Sequence, residues 1–154
     1  MRIIILACLL FLTNSVQAEI FNGQETDTCF KKSDNHWVAQ ACVAGEKEKS
    51  NTALQRLIEK SVREIKDHND GPFNDDVSST KTYGDVYSQH FIDAQKHWIQ
   101  YRETLCLGVA SEVNEDAYDY PIFKDQCVIN LNRSHTKEIA EMNLSFSEKS
   151  ESQK

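Results

Sequence analysis

The sequence has few glycines and prolines and no surplus of basic residues. Its 154 residues include five glycines and two prolines, and 17 lysines and arginines stand against 24 acids, for a formal net charge of -7. Nucleic-acid binding needs clusters of lysine and arginine for the phosphates, so this balance argues against a nucleic-acid partner. An acidic protein instead attracts basic partners, although solubility alone also explains such a charge.

The motifs of common enzyme classes are missing as well. The sequence contains no G-x-S-x-G, no H-E-x-x-H and no glycine-rich phosphate loop. Its many carboxylates lie in stretches expected to be solvated, which do not prepare them for acid catalysis. We therefore predict that the protein is not an enzyme and uses no cofactor.

Metal-binding patterns are incomplete. His90 and His97 are seven residues apart, about 10 Å along a helix, which is too far for both to bind one ion. In the acidic loop after Asp67, Gly71 comes one position too early for a calcium-binding loop, and the closing glutamate is missing. We predict no metal site, and the rival hypothesis of a metal-handling protein rests on the two histidines alone.

One long apolar run stands at the N-terminus. Met1-Arg2 is a positive start, Ile3 to Leu12 is apolar, and Val16 to Ala18 has the small residues of a cleavage site. The pattern is typical of a secretory signal peptide and is too short for a stable membrane anchor. We expect residues 1–18 to be cleaved after Ala18, leaving a periplasmic or secreted protein with no membrane anchor. Its 16 basic and 24 acidic residues would give a net charge of -8.

Four cysteines follow the predicted cleavage site: Cys29, Cys42, Cys106 and Cys127. An even number of cysteines behind a signal peptide predicts disulfide bonds, and no pair has the spacing of a zinc module. Three pairings can join them. The sequence-local pairing, Cys29 with Cys42 and Cys106 with Cys127, closes loops that contribute roughly 3 kcal/mol each in the chain-entropy model.

The remaining pattern predicts an all-α fold, with an extended lead-in over residues 19–32, a helical domain over 33–146 and a disordered tail over 147–154. Apolar residues at three-and-four spacing indicate three main helices, or four if the first bends near Gly45. Ser33 or Asp34 is expected to cap the first helix, which places Trp37 on its apolar side. The third helix is expected to begin at about Tyr120. The second carries a predicted packing seam of Tyr87, Phe91, Ala94, Trp98, Tyr101 and Leu105.

Polar residues interrupt the apolar faces of the second and third helices. Gln95 and Arg102 fall inside the face of the second, and Glu138 inside that of the third. A buried guanidinium must be paired, because an uncompensated buried charge is very costly. We therefore expect Arg102 to form a structural clasp with Glu138, Glu48 or Asn51, in preference to acting as an active-site arginine.

The cysteine spacing and the run from Ala94 to Cys106, which reads A-Q-x-x-W-x-x-Y-R-x-x-x-C, resemble the LprI-type lysozyme inhibitor family. The resemblance extends from about Cys29 to Met142. It implies a small helical, disulfide-bonded domain of the bacterial envelope. It also implies scaffold roles for the motif residues Gln95, Trp98, Tyr101 and Arg102.

The resemblance further implies binding and inhibition of lysozyme. Lysozymes are typically basic, so acidic loops would attract them. The sharpest candidate contact surface is the connection between the second and third helices, where acids stand beside aromatics. Its residues are Glu112, Glu115, Asp116, Tyr118 and Asp119. The loop from Asp67 to Asp76 is the second candidate, and either loop is also explained as merely solvated. The alternative function is an envelope interaction or immunity module with a different protein partner.

Overall fold

The computed structural model describes residues 22–142 and 144. These residues form four α-helices, one short 3-10 helix and, apart from an isolated bridge between Pro72 and Thr82, no β-structure. The elements in chain order are α1 (Gln24–Lys32), α2 (His36–Asp67), the 3-10 helix (Phe73–Asp75), α3 (Tyr83–Ala110) and α4 (Tyr120–Glu141). Together with the two disulfides, this confirms the predicted all-α bundle.

The fourth helix does not arise from a bend in the first predicted helix. α2 runs through Gly45 without interruption for 32 residues. The prediction of an extended lead-in over 19–32 is wrong for residues 24–32, which form α1. The predicted signal peptide, its cleavage site and the tail over 147–154 lie outside the described residues.

α1 packs on α4 largely through polar contacts, so its apolar periodicity was too weak to predict a helix. The Gln126 side chain is fully buried, and its Oε1 accepts hydrogen bonds from the Thr26 backbone N at 2.9 Å and Oγ1 at 2.6 Å. Its Nε2 donates to Glu25 Oε2 at 3.0 Å, and Arg133 forms an ion pair with the other Glu25 oxygen. The disulfide between Cys29 and Cys42 attaches α1 to α2 as well.

These contacts predict that α1 loosens in acid. Partial burial acts to raise the pKa of Glu25, but hydrogen bonds from Gln126 and Arg133 outweigh it, so the pKa lies below its ordinary value of 4.5. A carboxyl whose pKa is lowered by folding contributes stability above its unfolded pKa and loses it as the pH falls through the folded pKa. We expect hydrogen exchange of the α1 amides to speed up below about pH 4.5, relative to the α3 amides. Glu25→Gln should abolish this acid dependence and Asp27→Asn, on the exposed side, should keep it; equal acid loosening in both variants would contradict the assignment.

Side-chain caps define where α2 and α3 begin. Asn35, rather than the predicted Ser33 or Asp34, caps α2, because its Oδ1 accepts a hydrogen bond from the Trp37 backbone N at 3.0 Å. α3 begins with a capping box in which Thr82 and Asp85 exchange hydrogen bonds at 3.0 and 3.1 Å.

The helices α2 and α3 approach each other closely at the loop between them. A Cβ added at Gly84 would lie 2.9 Å from the Asn69 carbonyl oxygen and 2.9 Å from the Lys66 Cα. Because backbone atoms cannot move aside cheaply, this position requires glycine.

Three apolar clusters make up the core, one near the α2–α3 loop and two around the disulfides. The cluster near the α2–α3 loop has the buried residues Leu54, Ile58, Ile65, Phe91 and Ile139. The two clusters at the other end of the bundle have the buried residues Cys29, Val43, Cys106, Ile122, Cys127, Val128 and Ile129. Between the two ends, polar side chains of three helices fill the interior.

The buried face of α3 differs from the predicted seam. Tyr101 is 56% exposed and Ala94 is exposed too, so their assignment to the core is wrong. The buried positions between Gly84 and Ala110 are Ser88, Phe91, Gln95, Arg102 and Cys106. An apolar pattern selects a neighbouring face here, because polar residues that bond one another occupy core positions.

Candidate functional site

The guanidinium of Arg102 lies at the centre of the polar layer and is 7% exposed. Its Nη1 donates to Asn132 Oδ1 at 2.6 Å and to Asn51 Oδ1 at 3.3 Å, and its Nη2 donates to Glu103 Oε1 at 2.6 Å. Asn132 Nδ2 in turn donates to Asn51 Oδ1 and to Ser50 Oγ, each at 2.9 Å. Arg102 therefore joins α2, α3 and α4 through one network.

A second set of contacts extends the layer between α3 and α4. The His135 Nδ1 lies 2.7 Å from Glu138 Oε2, and its Nε2 lies 2.7 Å from Gln95 Oε1. The His135 ring stacks on Trp98 with a centroid distance of 3.9 Å and an interplanar angle of 8°. Arg102 also lies 5.6 Å from the Trp98 ring. We call the Arg102 network and these contacts together the polar clasp.

Of the three partners proposed for Arg102, Asn51 bonds it directly, while Glu138 pairs with His135 and Glu48 with Lys47. No buried side-chain nitrogen or oxygen among the described residues lacks a hydrogen-bond partner. The polar clasp thus joins three helices through side chains that bond one another.

The residues considered as metal ligands in the sequence analysis do not form a cluster of three or more in the described part of the chain. His90 and His97 are both exposed on α3. In the loop from Asp67 to Asp76, Asp76 accepts hydrogen bonds from Ser78, which accounts for it as a turn residue. In residues 22–142, none of the helices has the length and apolar character needed to cross a bilayer.

The acidic connection between α3 and α4 is exposed at the end of the bundle where α2 begins. Its acids are Glu112, Glu115, Asp116 and Asp119, and residues 107–120 contain no lysine or arginine. The described residues provide no ion-pair partner for the first three, while Asp119 Oδ1 lies 3.9 Å from the His36 ring nitrogen. The acidic connection itself therefore presents negative charge that no lysine or arginine within it neutralises.

Apolar side chains of the first turn of α2 stand beside this connection. Trp37 and Tyr118 are each 65% exposed and Val38 is 53% exposed. The Trp37 and Tyr118 rings meet edge to face, with centroids 5.6 Å apart. We call the contacting pair, Trp37 and Tyr118, the aromatic ledge. The structure thus brings Tyr118 and the predicted acids together with a tryptophan that the sequence reasoning assigned to the apolar side of α2.

The signal for this exposure was present in the sequence. Trp37 and Val38 are neighbours in the first turn of a helix, and side chains next to each other do not share a face. The buried residue of this turn is Ala39, which is fully buried. Two large apolar residues before a small buried one therefore indicate that at least one of them faces solvent.

Comparison with protein families identifies one match. The family model described as Lysozyme inhibitor LprI matches residues 29–139. Comparisons with curated proteins and with solved structures gave no match. The matched span covers most of the chain and includes both disulfides, the polar clasp and the acidic connection. The chain therefore belongs to the LprI lysozyme inhibitor family.

Proposed function

We propose that the protein is exported and inhibits a basic, lysozyme-like muramidase by binding it through the acidic connection. The observation that carries the proposal, beyond the family, is the row of exposed acids without a basic residue in residues 107–120. These acids are part of a sequence whose overall formal charge is -7. Their field would steer a basic protein towards this end of the bundle.

The scaffold supports such a role because it constrains both ends of the acidic connection. The disulfide between Cys106 and Cys127 joins the last turns of α3 to the first turns of α4. Glu112, Glu115 and Asp116 therefore lie on a closed loop instead of a free segment. A loop ordered before binding loses less conformational entropy in the complex, which favours affinity.

A turbidity assay of cell-wall lysis by a basic lysozyme tests the proposal. The protein without residues 1–18 should slow lysis at low salt, and the effect should weaken as salt screens the charges. Neutralising the connection with Glu112→Gln, Glu115→Gln and Asp116→Asn should lower the association rate about tenfold at low salt.

A charge-matched control lies at the other end of the bundle. Asp67→Asn, Asp70→Asn and Asp75→Asn remove the same charge from the second candidate loop, and each residue is exposed. This variant should lower the association rate no more than about twofold, since α2, 32 residues long, places those charges about 48 Å from the contact, beyond the Debye length of ~30 Å at 10 mM salt. Equal losses in both variants would assign the effect to net charge. Undiminished lysis at low salt and excess protein would reject inhibition and favour an envelope interaction or immunity module with another protein partner.

A further inference from the structure

The aromatic ledge is a contiguous apolar surface rather than a set of scattered exposed residues. Its two rings contact each other, and both side chains are more than half exposed. Single exposed apolar residues need no explanation, but a patch of them ringed by charge is typical of a protein-binding site. We propose that the ledge is the centre of the binding interface and enters an apolar cleft on a basic protein. The identity of that protein as a muramidase rests on the proposed function.

The ledge is held in place before any partner arrives. His36 Nε2 donates a hydrogen bond to the Tyr118 carbonyl oxygen at 3.0 Å, and its ring packs edge-on against Tyr118 and Phe30. Phe30 is anchored next to Cys29, whose disulfide joins α1 to α2. The cap at Asn35 orders the turn that carries Trp37.

Such fixed aromatics are efficient binding anchors. Trp and Tyr bury a large area while only two side-chain torsions per residue must be ordered. Residues of these types are also enriched among those that carry most of an interface's binding energy. The fixed position of the ledge thus favours a slow dissociation rate, while the neighbouring acids govern the association rate.

Charge selects the kind of partner. Glu112, Glu115, Asp116 and Asp119 form a wholly acidic rim on the connection beside the ledge. The complementary surface is an apolar cleft rimmed by lysine or arginine. A second copy of this chain would oppose acids to acids, which disfavours self-association through this face. An anionic membrane surface is disfavoured for the same reason.

Binding kinetics on an immobilised basic lysozyme test the ledge. The variant Trp37→Ala with Tyr118→Ala should bind about 100-fold more weakly, with most of the change in the dissociation rate and an unaltered salt dependence of association. Trp37→Phe should retain affinity within about tenfold, because an aromatic anchor remains. Circular dichroism should show unchanged helix content, since both altered side chains are exposed.

A matched exposed aromatic on α3 provides the control. Tyr101 is 56% exposed, and Tyr101→Ala should change affinity less than about threefold. If the wild type inhibits lysozyme and the variant Trp37→Ala with Tyr118→Ala binds it with an affinity within about threefold of the wild type, the proposed role of the ledge is wrong. The proposed function would then still stand. An equal loss in the α3 control would also contradict the proposed role of the ledge. A wild-type protein that neither binds lysozyme nor slows lysis would overturn both proposals together.

Discussion

Asn132→Ala should destabilise the protein by about 2–3 kcal/mol, because it removes the shortest buried hydrogen bond of the Arg102 guanidinium, which keeps Glu103 as its ion-pair partner. Arg102 is 7% exposed, and its bond to Asn132 Oδ1, at 2.6 Å, is one of its two shortest. The same change removes the bonds from Asn132 to Asn51 and Ser50. Water cannot readily replace these bonds at a position where the asparagine is 1% exposed.

Replacing Arg102 and Asn132 together should lower the free energy of unfolding less than replacing Asn132 alone. In Arg102→Met with Asn132→Leu, the guanidinium and its α4 partner disappear together, so no buried guanidinium N–H is left without its acceptor. We expect the double variant to lose less than half the free energy of unfolding lost by Asn132→Ala. Urea unfolding of Asn132→Ala and the double variant measures this difference, and the single variants Arg102→Met and Asn132→Leu complete a double-mutant cycle.

An asparagine outside the polar clasp provides a control, because replacing it removes an asparagine without affecting Arg102. Asn114 is exposed in the acidic connection, and Asn114→Ala should change the free energy of unfolding by no more than about 0.5 kcal/mol. If the double variant proved as unstable as Asn132→Ala, the pair would contribute net stability beyond helix register. That result would contradict the view that its main effect is to specify how α2, α3 and α4 align.

Apolar spacing predicted the parts of the fold that apolar burial stabilises. Leu54, Ile58 and Ile65 lie on one stripe of α2 and are buried, as is Phe91 on α3. The cysteine count and spacing likewise indicated a local disulfide pairing, which is the pairing in the structure. In these cases each residue's position follows from its own chemistry and its neighbours in sequence.

The missed features depend on partners far away in sequence. Nothing local marks Gln126 as buried; it is buried because Thr26 and Glu25, about a hundred positions earlier, bond it. His135 enters the core because Trp98 stacks on it and Gln95 contacts its ring nitrogen. Buried polar groups require complementary partners, and a single sequence does not show which partner comes into reach.

The candidate site likewise has a part that the sequence predicted and a part that it missed. The exposed acids of the connection were predictable, since a run that includes Glu115 and Asp116 without apolar residues at helical spacing indicates a solvated loop. The exposure of Trp37 was missed although the sequence carried a signal for it, because the prediction placed Trp37 on the apolar side of the first helix. The contact between Trp37 and Tyr118 depends on how the start of α2 meets the connection, which is a tertiary property.

Removing the disulfide between Cys106 and Cys127 should lower the free energy of unfolding by about 3 kcal/mol, according to the loop-closure entropy of the unfolded chain. The two cysteines are 21 positions apart and both are fully buried. Alanine is the appropriate replacement, because serine would add buried hydroxyl groups that need partners. For a domain of this size the loss corresponds to a decrease in Tm of roughly 10 °C.

The second disulfide gives the matched comparison. Cys29 and Cys42 are 13 positions apart, so Cys29→Ala with Cys42→Ala should also cost about 3 kcal/mol.

The functional consequences of removing the two disulfides should differ despite this similar loss of stability. Without Cys106 and Cys127 the acidic connection is no longer closed at its base, so the association rate with a basic lysozyme should fall. Without Cys29 and Cys42 the support of His36 by Phe30 weakens, and the dissociation rate should rise. Kinetics measured at a temperature where both variants remain folded distinguish these outcomes, and identical rate changes would contradict separate roles for the connection and the ledge.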